Sequence, residues 1–505
     1  MQTKDAASRF NYLDNQRDAM LDRCRVYAKL TLPYVFPDDT YKTEQDTLQL
    51  ARHSIGAQSV NSLANKMMLA LFQPSNPFFR LGLTKEAQNS LPKELASNVD
   101  QVLANGETEA MAVMARGAYR PALFELMKHL IITGNALPVF AKNGTLSVVS
   151  LKDYVVQRSP DGTVIEIVVR RDLAYAALDA DAKVAYEQLG GREEDPDVVV
   201  SLYHWIKKVP GDTGYTVEQW VEDKHLPAKQ FDSKVKSYDD LPWQPQVWVL
   251  PTGSHYGVGL VEEYYGDLAA LNVYAKSQTD GAALAATWRF MLSESSSMRP
   301  EDLVNSENGD IISGSPNNLA LLTAPVAANV AAIASALGDT AQRVGRGFLT
   351  MTAITRDAER VTAEEIRTLA AELETGLGGV YARLAVSLQQ PMAHFLFKQI
   401  QNSLSETQIQ PTIITGMEAL SRQVELDKMS RFIQDVVQLA SLPENILMWL
   451  KQEDIYEFMA SGRGLDRGKF IRTEEEVQQM QQQEAQQQLA AQMQTQQIPV
   501  PEANK

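Results

Sequence analysis

The side chains that most often bind metals or carry catalysis are scattered along this 505-residue chain. No two of its histidines stand four residues apart, the spacing that would place two imidazoles on one face of a helix. The six are His53, His129, His204, His225, His255 and His394. The single cysteine, Cys24, excludes an internal disulfide and a cysteine-based metal cluster, and it favours synthesis in a reduced compartment. The sequence therefore predicts no metal site and no cofactor, and we expect Cys24 in the core.

The sequence also lacks the motifs that carry a catalytic serine or bind the phosphates of a nucleotide. No Gly-x-Ser-x-Gly elbow occurs, and the closest approach to a phosphate loop carries Arg463 and Phe470 where Gly and Ser or Thr are needed. Adjacent carboxylates such as Glu262 and Glu263 point in different directions on a helix, so they predict solvated surface. We expect no catalytic residue and no enzyme. The alternative is a large multidomain hydrolase, which would need a clustered polar site.

Length and charge narrow the class of protein. The chain is too long for one ordinary core, so two or more domains are expected. A net charge of −16 argues against wrapping DNA, because that mode needs a basic surface, but it permits a channel through which DNA slides. The most apolar run, residues 326–337, is too short to cross a bilayer, and residues 1–10 lack the apolar stretch of a signal peptide. We expect a soluble protein with no membrane partner.

Hydrophobic periodicity predicts helices in the first 141 residues. Apolar side chains recur at helical spacing over residues 13–28, and Pro33 ends that helix. Residues 54–72 form a second amphipathic helix. Residues 104–141 are predicted as one or two more helices, broken near Gly134.

The periodicity then changes to that of strands. Residues 146–170 alternate and are rich in Val and Ile, with a turn at residues 159–162. Residues 198–205 and 215–221 form another strand pair around a Pro-Gly turn. Together they predict a small β-rich domain inserted among helices.

The second half of the chain returns to helical spacing. Thr362 to Glu365 has the pattern of a capping box, which starts a helix. An apolar stripe then runs to Leu388, before Pro391. The remaining predictions are a helix over 257–286, a loop-like stretch over 288–325, an Ala-rich helix over 326–344, an irregular segment over 345–360, helices over 416–472, and a Gln-rich tail over 474–505 that is a frayed helix or disordered.

Two long helices that flank an insert of about forty residues form a rod with a small lobe at its tip. Alanine at many positions, such as Ala327, Ala328 and Ala331, suits close helix packing. A rod of this kind buries little apolar surface alone and needs neighbours. The alternative is an ordinary helical hairpin with a long loop.

Short motifs in order along residues 9–472 resemble those of portal proteins of short-tailed bacteriophages, also called head-to-tail connectors. The resemblance begins with the run from Leu21 to Pro37. It continues with Gly56-Ala57, Val60-Asn61, Leu63-Ala64, Lys66-Met67, Leu69 to Phe72, Pro77 to Leu81, Thr133 to Asn135, Asp153 to Val156, Tyr256-Gly257, Gly259, Glu262-Glu263, Gly266 to Leu268, and Glu359 to Ile366. The Gln-rich tail has no clear counterpart.

The resemblance implies an α+β fold, mainly α, with the parts of a portal subunit. These parts are a wing over residues 1–256, stem helices over 257–287 and 326–345, a clip over 288–325, a channel loop over 346–361, a long wing helix over 362–415, a crown over 416–475 and a flexible tail over 476–505.

The same resemblance implies a function and its partners. The chain would form a dodecameric ring at one capsid vertex of the virion, after synthesis in the host cytoplasm. The ring would be the channel for genome packaging and ejection. Its partners would be the packaging terminase, the tail adaptor, the major capsid and scaffold proteins, internal core proteins and the double-stranded DNA in the channel.

Two sets of candidate residues follow from this placement. Near the channel loop, basic residues either contact phosphate, pair across subunits, or form salt bridges to Asp339, Asp357 and Glu359. These basic residues are Arg343, Arg346, Arg356 and Arg360. In the clip, the candidates for docking the motor and the tail are Arg299, Glu301, Asp302, Glu307 and Asp310.

A second alternative is another virion structural protein, such as an internal core or tail-tube subunit. Such a subunit need not have the order of helix, insert, helix and capped helix. That order is therefore the feature that favours a portal protein over this alternative.

Overall fold

A computed structural model describes most of the first 415 residues of the chain. The described residues are 5–41, 45–73, 77–83, 93–141, 144–190, 198–226, 234–287, 289–294, 299–311, 315–322, 327–350, 363–404 and 411–415. The chain divides into two compact units. The first unit contains residues 1–68, 120–139 and 146–356, and the second contains residues 69–119, 140–145 and 357–505.

The fold mixes helices and strands, as predicted. The helices are α1 (Ala6–Asp14), α2 (Asp18–Leu30), α3 (Ile55–Leu71), α4 (Lys93–Arg116), α5 (Tyr119–Thr133), α6 (Ala180–Gln188), α7 (Leu260–Glu263), α8 (Tyr265–Ala285), α9 (Pro300–Val304), α10 (Ala327–Gly347), α11 (Ala363–Gly376), α12 (Val380–Leu384) and α13 (Gln390–Leu404). The strands are β1 (Phe79–Leu83), β2 (Asn135–Phe140), β3 (Leu146–Val149), β4 (Tyr154–Arg158), β5 (Val164–Ala174), β6 (Val199–Lys208), β7 (Tyr215–Val221), β8 (Lys224–Leu226), β9 (Lys234–Val235), β10 (Gln246–Val247), β11 (Arg289–Leu292), β12 (Leu319–Leu322) and β13 (Pro411–Thr415). None of the described helices has the length and hydropathy that crossing a membrane requires.

The predicted β-rich domain is an antiparallel sheet in the first unit. Its strands lie in the order β4-β5-β6-β7-β8, and β9 pairs with β7. The predicted turn at residues 159–162 connects β4 to β5, where Gly162 takes a positive φ of 88°. Helix α1 covers one face of the sheet, and its Phe10 packs against Tyr203 with ring centroids 6.0 Å apart.

Two helix predictions in the first unit need correction. The first predicted helix is two helices, because the chain turns at Asn15–Arg17 before α2 begins. The break predicted near Gly134 is confirmed, since helix α5 ends at Thr133 and Gly134 has a φ of 74°, but the apolar residues after it form strand β2 and not a helix. β2 lies between β10 and β3 in a three-stranded sheet. Cys24 is buried, as predicted.

A helical hairpin follows the β-rich part of the first unit along the chain. Helices α8 and α10 run antiparallel, because Asp267 pairs with Arg343 near one end and Gly281 lies against Val330 near the other. The insert at the tip is more regular than the predicted loop. Strands β11 and β12 pair from Arg289 with Leu322 to Leu292 with Leu319, because both are short apolar runs.

The second unit contains the predicted apolar stripe. Its leucines from Leu369 to Leu388 are buried, but they lie on separate helices because Gly378 and Gly379 both take positive φ. Pro391 does not end a helix: residues 380–404 are helical throughout, with a π-helical segment at Ala385–Gln389 directly before α13. Strand β1 pairs with β13, and a buried ion pair joins Arg80 to Glu107 at 2.6 Å. Helix α11 begins directly after Thr362, which lies outside the described residues, as do the predicted helices over 416–472 and the tail.

Candidate functional site: the helical hairpin, its tip and its root

The hairpin of α8 and α10 buries apolar side chains mainly near its root. Leu268 and Leu271 of α8 and Val344 of α10 are fully buried there. Farther out, small residues such as Ala282 and Ala331 leave both helices thin and largely exposed. The hairpin therefore has little core of its own beyond the root, which the alanine-rich sequence predicted.

Large apolar side chains are exposed along the outer hairpin and the tip. At least half of the surface is exposed for Val273, Leu284, Phe290, Met291, Val304 and Ile311. Ile311 is 99% exposed and Val304 83% exposed. Other large apolar side chains, such as Leu50 and Val199, are exposed elsewhere in the first unit, but the two highest values lie at the tip. Apolar surface of this kind indicates an interaction surface, because covering it with a partner lowers the free energy.

A backbone clamp holds the start of the hairpin against the end of α5. Gly134, Gly257 and Gly259 approach so closely that a Cβ atom on Gly134 would lie 2.4 Å from the Gly259 nitrogen. The Asn135 side chain closes the clamp: its Nδ2 donates to the carbonyl oxygens of Thr133 and Gly257, and its Oδ1 accepts from the Gly257 N–H, all at 2.8 Å. The sequence motifs at residues 133–135 and 256–259 are thus two halves of one contact.

A second contact joins the inner ends of the two helices. The Tyr264 ring, just before α8, lies where a side chain on Gly347 would be, with its Cζ 2.1 Å from the position of a Cβ atom. The same ring packs edge-on against Phe348 at 5.4 Å between centroids. Only glycine fits at position 347 without moving Tyr264.

Helix α10 ends in a well-defined cap after passing through Gly345. The Leu349 N–H donates to the Arg346 carbonyl at 3.1 Å, and the Thr350 N–H donates to the Gly345 carbonyl at 2.8 Å. Leu349 takes a φ of 55°, so the two bonds form the left-handed cap usually built on glycine. The sequence predicted that Gly345 would break the helix, but the cap lies four residues later.

The candidate channel arginines fall partly within the described residues. Arg343 Nη2 donates to Asp267 Oδ1 at 3.0 Å across the hairpin, and this hydrogen bond raises the pKa of the guanidinium. One sequence alternative predicted a salt bridge to Asp339. In the structure Arg343 pairs with Asp267 instead. Arg346 is exposed, and it has no ion-pair partner among the described residues. Arg356 and Arg360 lie outside the described residues.

The candidate docking residues all lie in one described segment, residues 299–311, between β11 and β12. All five are exposed, and none of them forms an ion pair within the described part of the chain: Arg299, Glu301, Asp302, Glu307 and Asp310. The Glu307 N–H donates to Asp310 Oδ2 at 2.7 Å, which shapes the turn after α9. The five residues therefore lie exposed in one short segment of the insert, and their docking role stays a prediction.

Ionisable groups elsewhere show no arrangement for catalysis within the described residues. Burial lowers the pKa of His204 to about 3, and this histidine packs beside Trp243 with ring centroids 5.1 Å apart. Burial raises the pKa of the Cys24 thiol to about 12, which makes it a poor nucleophile. No group of three metal-binding side chains comes together in the described ranges.

Comparisons with known proteins agree with one another at the family level. Residues 3–470 match the sequence profile described as "Bacteriophage head to tail connecting protein". The chain is 32% identical to the portal protein of Enterobacteria phage SP6 over 467 residues, which cover 92% of this chain and 89% of that protein. It is 32% identical to the portal protein of Escherichia phage T7, with coverages of 94% and 89%. It is 29% identical to the portal protein of Pseudomonas phage phiKMV, with coverages of 92% and 91%.

Solved structures give a weaker likeness. The neck of an empty gene transfer agent particle, computed with C6 symmetry, aligns with a TM-score of 0.37 and 15% identity. It covers 77% of this chain and 90% of that chain. The neck of a native particle, computed with C12 symmetry, aligns with a TM-score of 0.36 and 12% identity, with coverages of 74% and 85%.

Proposed function

The chain belongs to the bacteriophage head-to-tail connecting proteins, the portal proteins of short-tailed phages, and from this premise we propose that it forms a dodecameric ring at one vertex of the capsid. The family resemblance of the sequence motifs is confirmed by these relatives. The chain is accordingly a structural connector of the phage virion. In our proposal the ring is the channel for genome packaging and ejection, and the chain catalyses no reaction.

The observation that supports the ring most directly is the exposed apolar surface of the hairpin. Val273, Phe290 and Met291 are exposed on a hairpin with little core of its own beyond the root, so a neighbouring copy is the simplest way to cover them. A closed ring of identical subunits uses a head-to-tail interface, in which one surface complements a different surface of the neighbour. Two long antiparallel helices offer two such surfaces, one on each side.

The parts of a portal subunit are proposed for this chain with the boundaries expected from its sequence. In this proposal the described hairpin would supply the stem helices over residues 257–287 and 326–345, with the clip over 288–325 between them. The wing would contain residues 1–256 and 362–415, and the channel loop residues 346–361. The crown over 416–475 would face the head interior, beside the internal core proteins, and the tail over 476–505 would be flexible.

The clip is proposed to dock the packaging terminase during filling and the tail adaptor afterwards. Residues 288–325 contain five acidic and two basic side chains, so the tip carries negative charge for a partner to recognise. Val304 and Ile311 add apolar anchors between those charges. The capsid and scaffold proteins would contact the outside of the ring at the wing.

The clip proposal is tested by shortening the tip without opening the hairpin. Ser293 donates its N–H to the Asn318 carbonyl at 2.9 Å, so the two strands are already adjacent there. Replacing residues 294–317 by an Asn-Gly turn should leave rings intact and abolish DNA packaging. A matched control keeps the insert and neutralises its five carboxylates, and it should weaken packaging less. Normal packaging by the shortened protein would refute a docking role for the clip.

The channel proposal concerns the four arginines near the loop. Twelve copies of a basic side chain at one level would make an attractive ring in an acidic wall, and arginine suits phosphate through its planar fork of donors. Arg343 is the weakest member of the set, because it already pairs with Asp267. Arg346, Arg356 and Arg360 are the stronger candidates.

The double variant Arg356→Glu/Arg360→Glu separates the two accounts of the loop arginines. A role in contacting DNA predicts normal rings with altered DNA retention. A role in salt bridges within the subunit predicts few rings. The variant Arg356→Lys/Arg360→Lys keeps the charge and is the matched control. Normal rings with normal packaging in the Glu variant would remove both residues from the channel.

A further inference from the structure

Lys66 of α3 is a buried lysine whose ammonium reaches the end of the second hairpin helix. Only 5% of the residue is exposed. Its Nζ donates to the carbonyl oxygen of Leu349, 283 residues away along the chain. Burial of an ammonium is costly, so its position at a defined acceptor calls for a specific role.

The acceptor lies in the cap that ends α10, two residues beyond its last residue, Gly347. Leu349 is the left-handed residue of the cap, and the Thr350 hydroxyl adds a second bond to the Gly345 carbonyl at 2.9 Å. A leucine is unfavourable in this conformation because its Cβ crowds the carbonyl that follows. A cation at the C-terminal end of a helix is favourable, because it interacts with the carbonyl groups that the helix leaves unpaired. Lys66 therefore stabilises the turn through the carbonyl of Leu349, the residue that has the unfavourable backbone conformation.

The residue before the turn is fixed from the other side. Phe348 is fully buried and packs against Tyr264, which itself fills the space above Gly347. The end of α10 is thus held by an aromatic contact at residue 348 and by an ammonium at residue 349. These contacts fix the positions of residues 348 and 349, directly before the last described residue of this segment, Thr350.

We propose that Lys66 is a positioning residue that fixes how the chain leaves α10 for residues 351–361, the segment that the proposed function places at the channel. This inference rests on that proposed function. In the ring, one such contact per subunit would give every copy of the segment the same starting point. A symmetric channel requires this uniformity, because one displaced copy would narrow the passage for DNA.

The test compares Lys66→Met, which keeps the apolar stem and removes the ammonium, with Lys66→Arg, which keeps a cationic donor. Hydrogen exchange of the amides in residues 344–350 is measured on the purified full chain, with residues 256–262 as an internal reference. Lys66→Met should raise exchange at Leu349 and Thr350 at least tenfold without changing the reference segment, and Lys66→Arg should restore protection. A merely structural role would instead lower the melting temperature and loosen both segments. Equal protection of Leu349 and Thr350 in Lys66→Met and the natural protein would overturn the proposal.

DNA packaging in complementation is the functional readout. A loss of packaging in Lys66→Met that Lys66→Arg rescues would support the positioning role, and unchanged packaging despite faster exchange would overturn it. If Lys66→Met subunits do not assemble, exchange is measured on the unassembled subunit, since the contact lies within one chain. Failure of the natural protein to form rings would refute the proposed function. The exchange experiment would still test whether Lys66 holds the end of α10, because that contact lies within one chain.

Discussion

The substitution Asn135→Asp tests the clamp at the root of the hairpin. The aspartate has the shape of asparagine and keeps an acceptor for the Gly257 N–H, but it loses the NH₂ group that donates to Thr133 and Gly257. Asn135 is only 1% exposed, so water cannot replace the lost donor without a local rearrangement. The change therefore isolates the amide group and alters almost no volume.

The expected size of the effect follows from the two carbonyl oxygens that lose their donor. An unsatisfied buried polar group costs about 1–3 kcal/mol. If the buried carboxyl is protonated, it can donate to one of the two carbonyls, so at least one is left without a donor. We expect a destabilisation of about 2–4 kcal/mol, which for a unit of this size corresponds to a melting temperature lower by roughly 4–8 °C.

The assay is thermal unfolding of the purified full chain, followed by fluorescence. Asn272→Asp is the matched control: Asn272 accepts from the Arg52 N–H at 2.8 Å through Oδ1, and an aspartate keeps that acceptor. The control should melt within about 1 °C of the natural protein, because its only change is at a partly exposed position. If Asn135→Asp melts as the control does, the clamp does not hold the root.

Three further outcomes are expected from the same measurements. Gly347→Ala should lower the melting temperature by several degrees because its Cβ would lie 2.1 Å from the Tyr264 ring, whereas Gly338→Ala in the same helix meets nothing within 4 Å and should be neutral or stabilising. Because burial lowers the pKa of His204 to about 3, folding favours its neutral form, so its contribution is present above the unfolded pKa near 6.5 and is lost as the pH falls from there towards 3. At pH 5 this loss is about 2 kcal/mol of the free energy of unfolding. The drop in melting temperature from pH 8 to pH 5 should therefore be smaller in His204→Leu than in the natural protein. An equal drop in both would exclude His204 as a cause of the acid destabilisation. Truncation after Thr473 should leave the melting temperature unchanged, because Gln-rich sequence buries little apolar area, and a drop of several degrees would show that the tail is packed.

Sequence patterns predicted the turns and helix ends whose conformation is set by residues adjacent in the chain. The turn at residues 159–162 carries its own chemistry in Pro160, Asp161 and Gly162, so the hairpin of β4 and β5 could be predicted from sequence alone. The break at Gly134 was also predicted, but not the strand after it, because a short apolar run has no periodicity that separates helix from strand. β11 and β12 were missed for the same reason.

Contacts between distant segments could not be predicted, and they make up most of the candidate site. Asn135 and Gly257 each belong to a motif of the resembling family, but nothing local shows that one hydrogen-bonds the other. The pairing of Arg343 with Asp267 was missed because the two residues lie 76 positions apart on separate helices. Exposure at the tip was predictable from composition, since the insert is polar and rich in turn residues.

The most direct test of the central claim is electron microscopy of the purified full chain in negative stain, with the mass measured by light scattering. The account predicts closed rings with a central hole and a mass of about 670 kDa, from twelve subunits of 56.0 kDa. It also predicts that the shortened clip leaves these rings intact. A protein that remains a monomer over a wide range of salt and protein concentration would contradict the account.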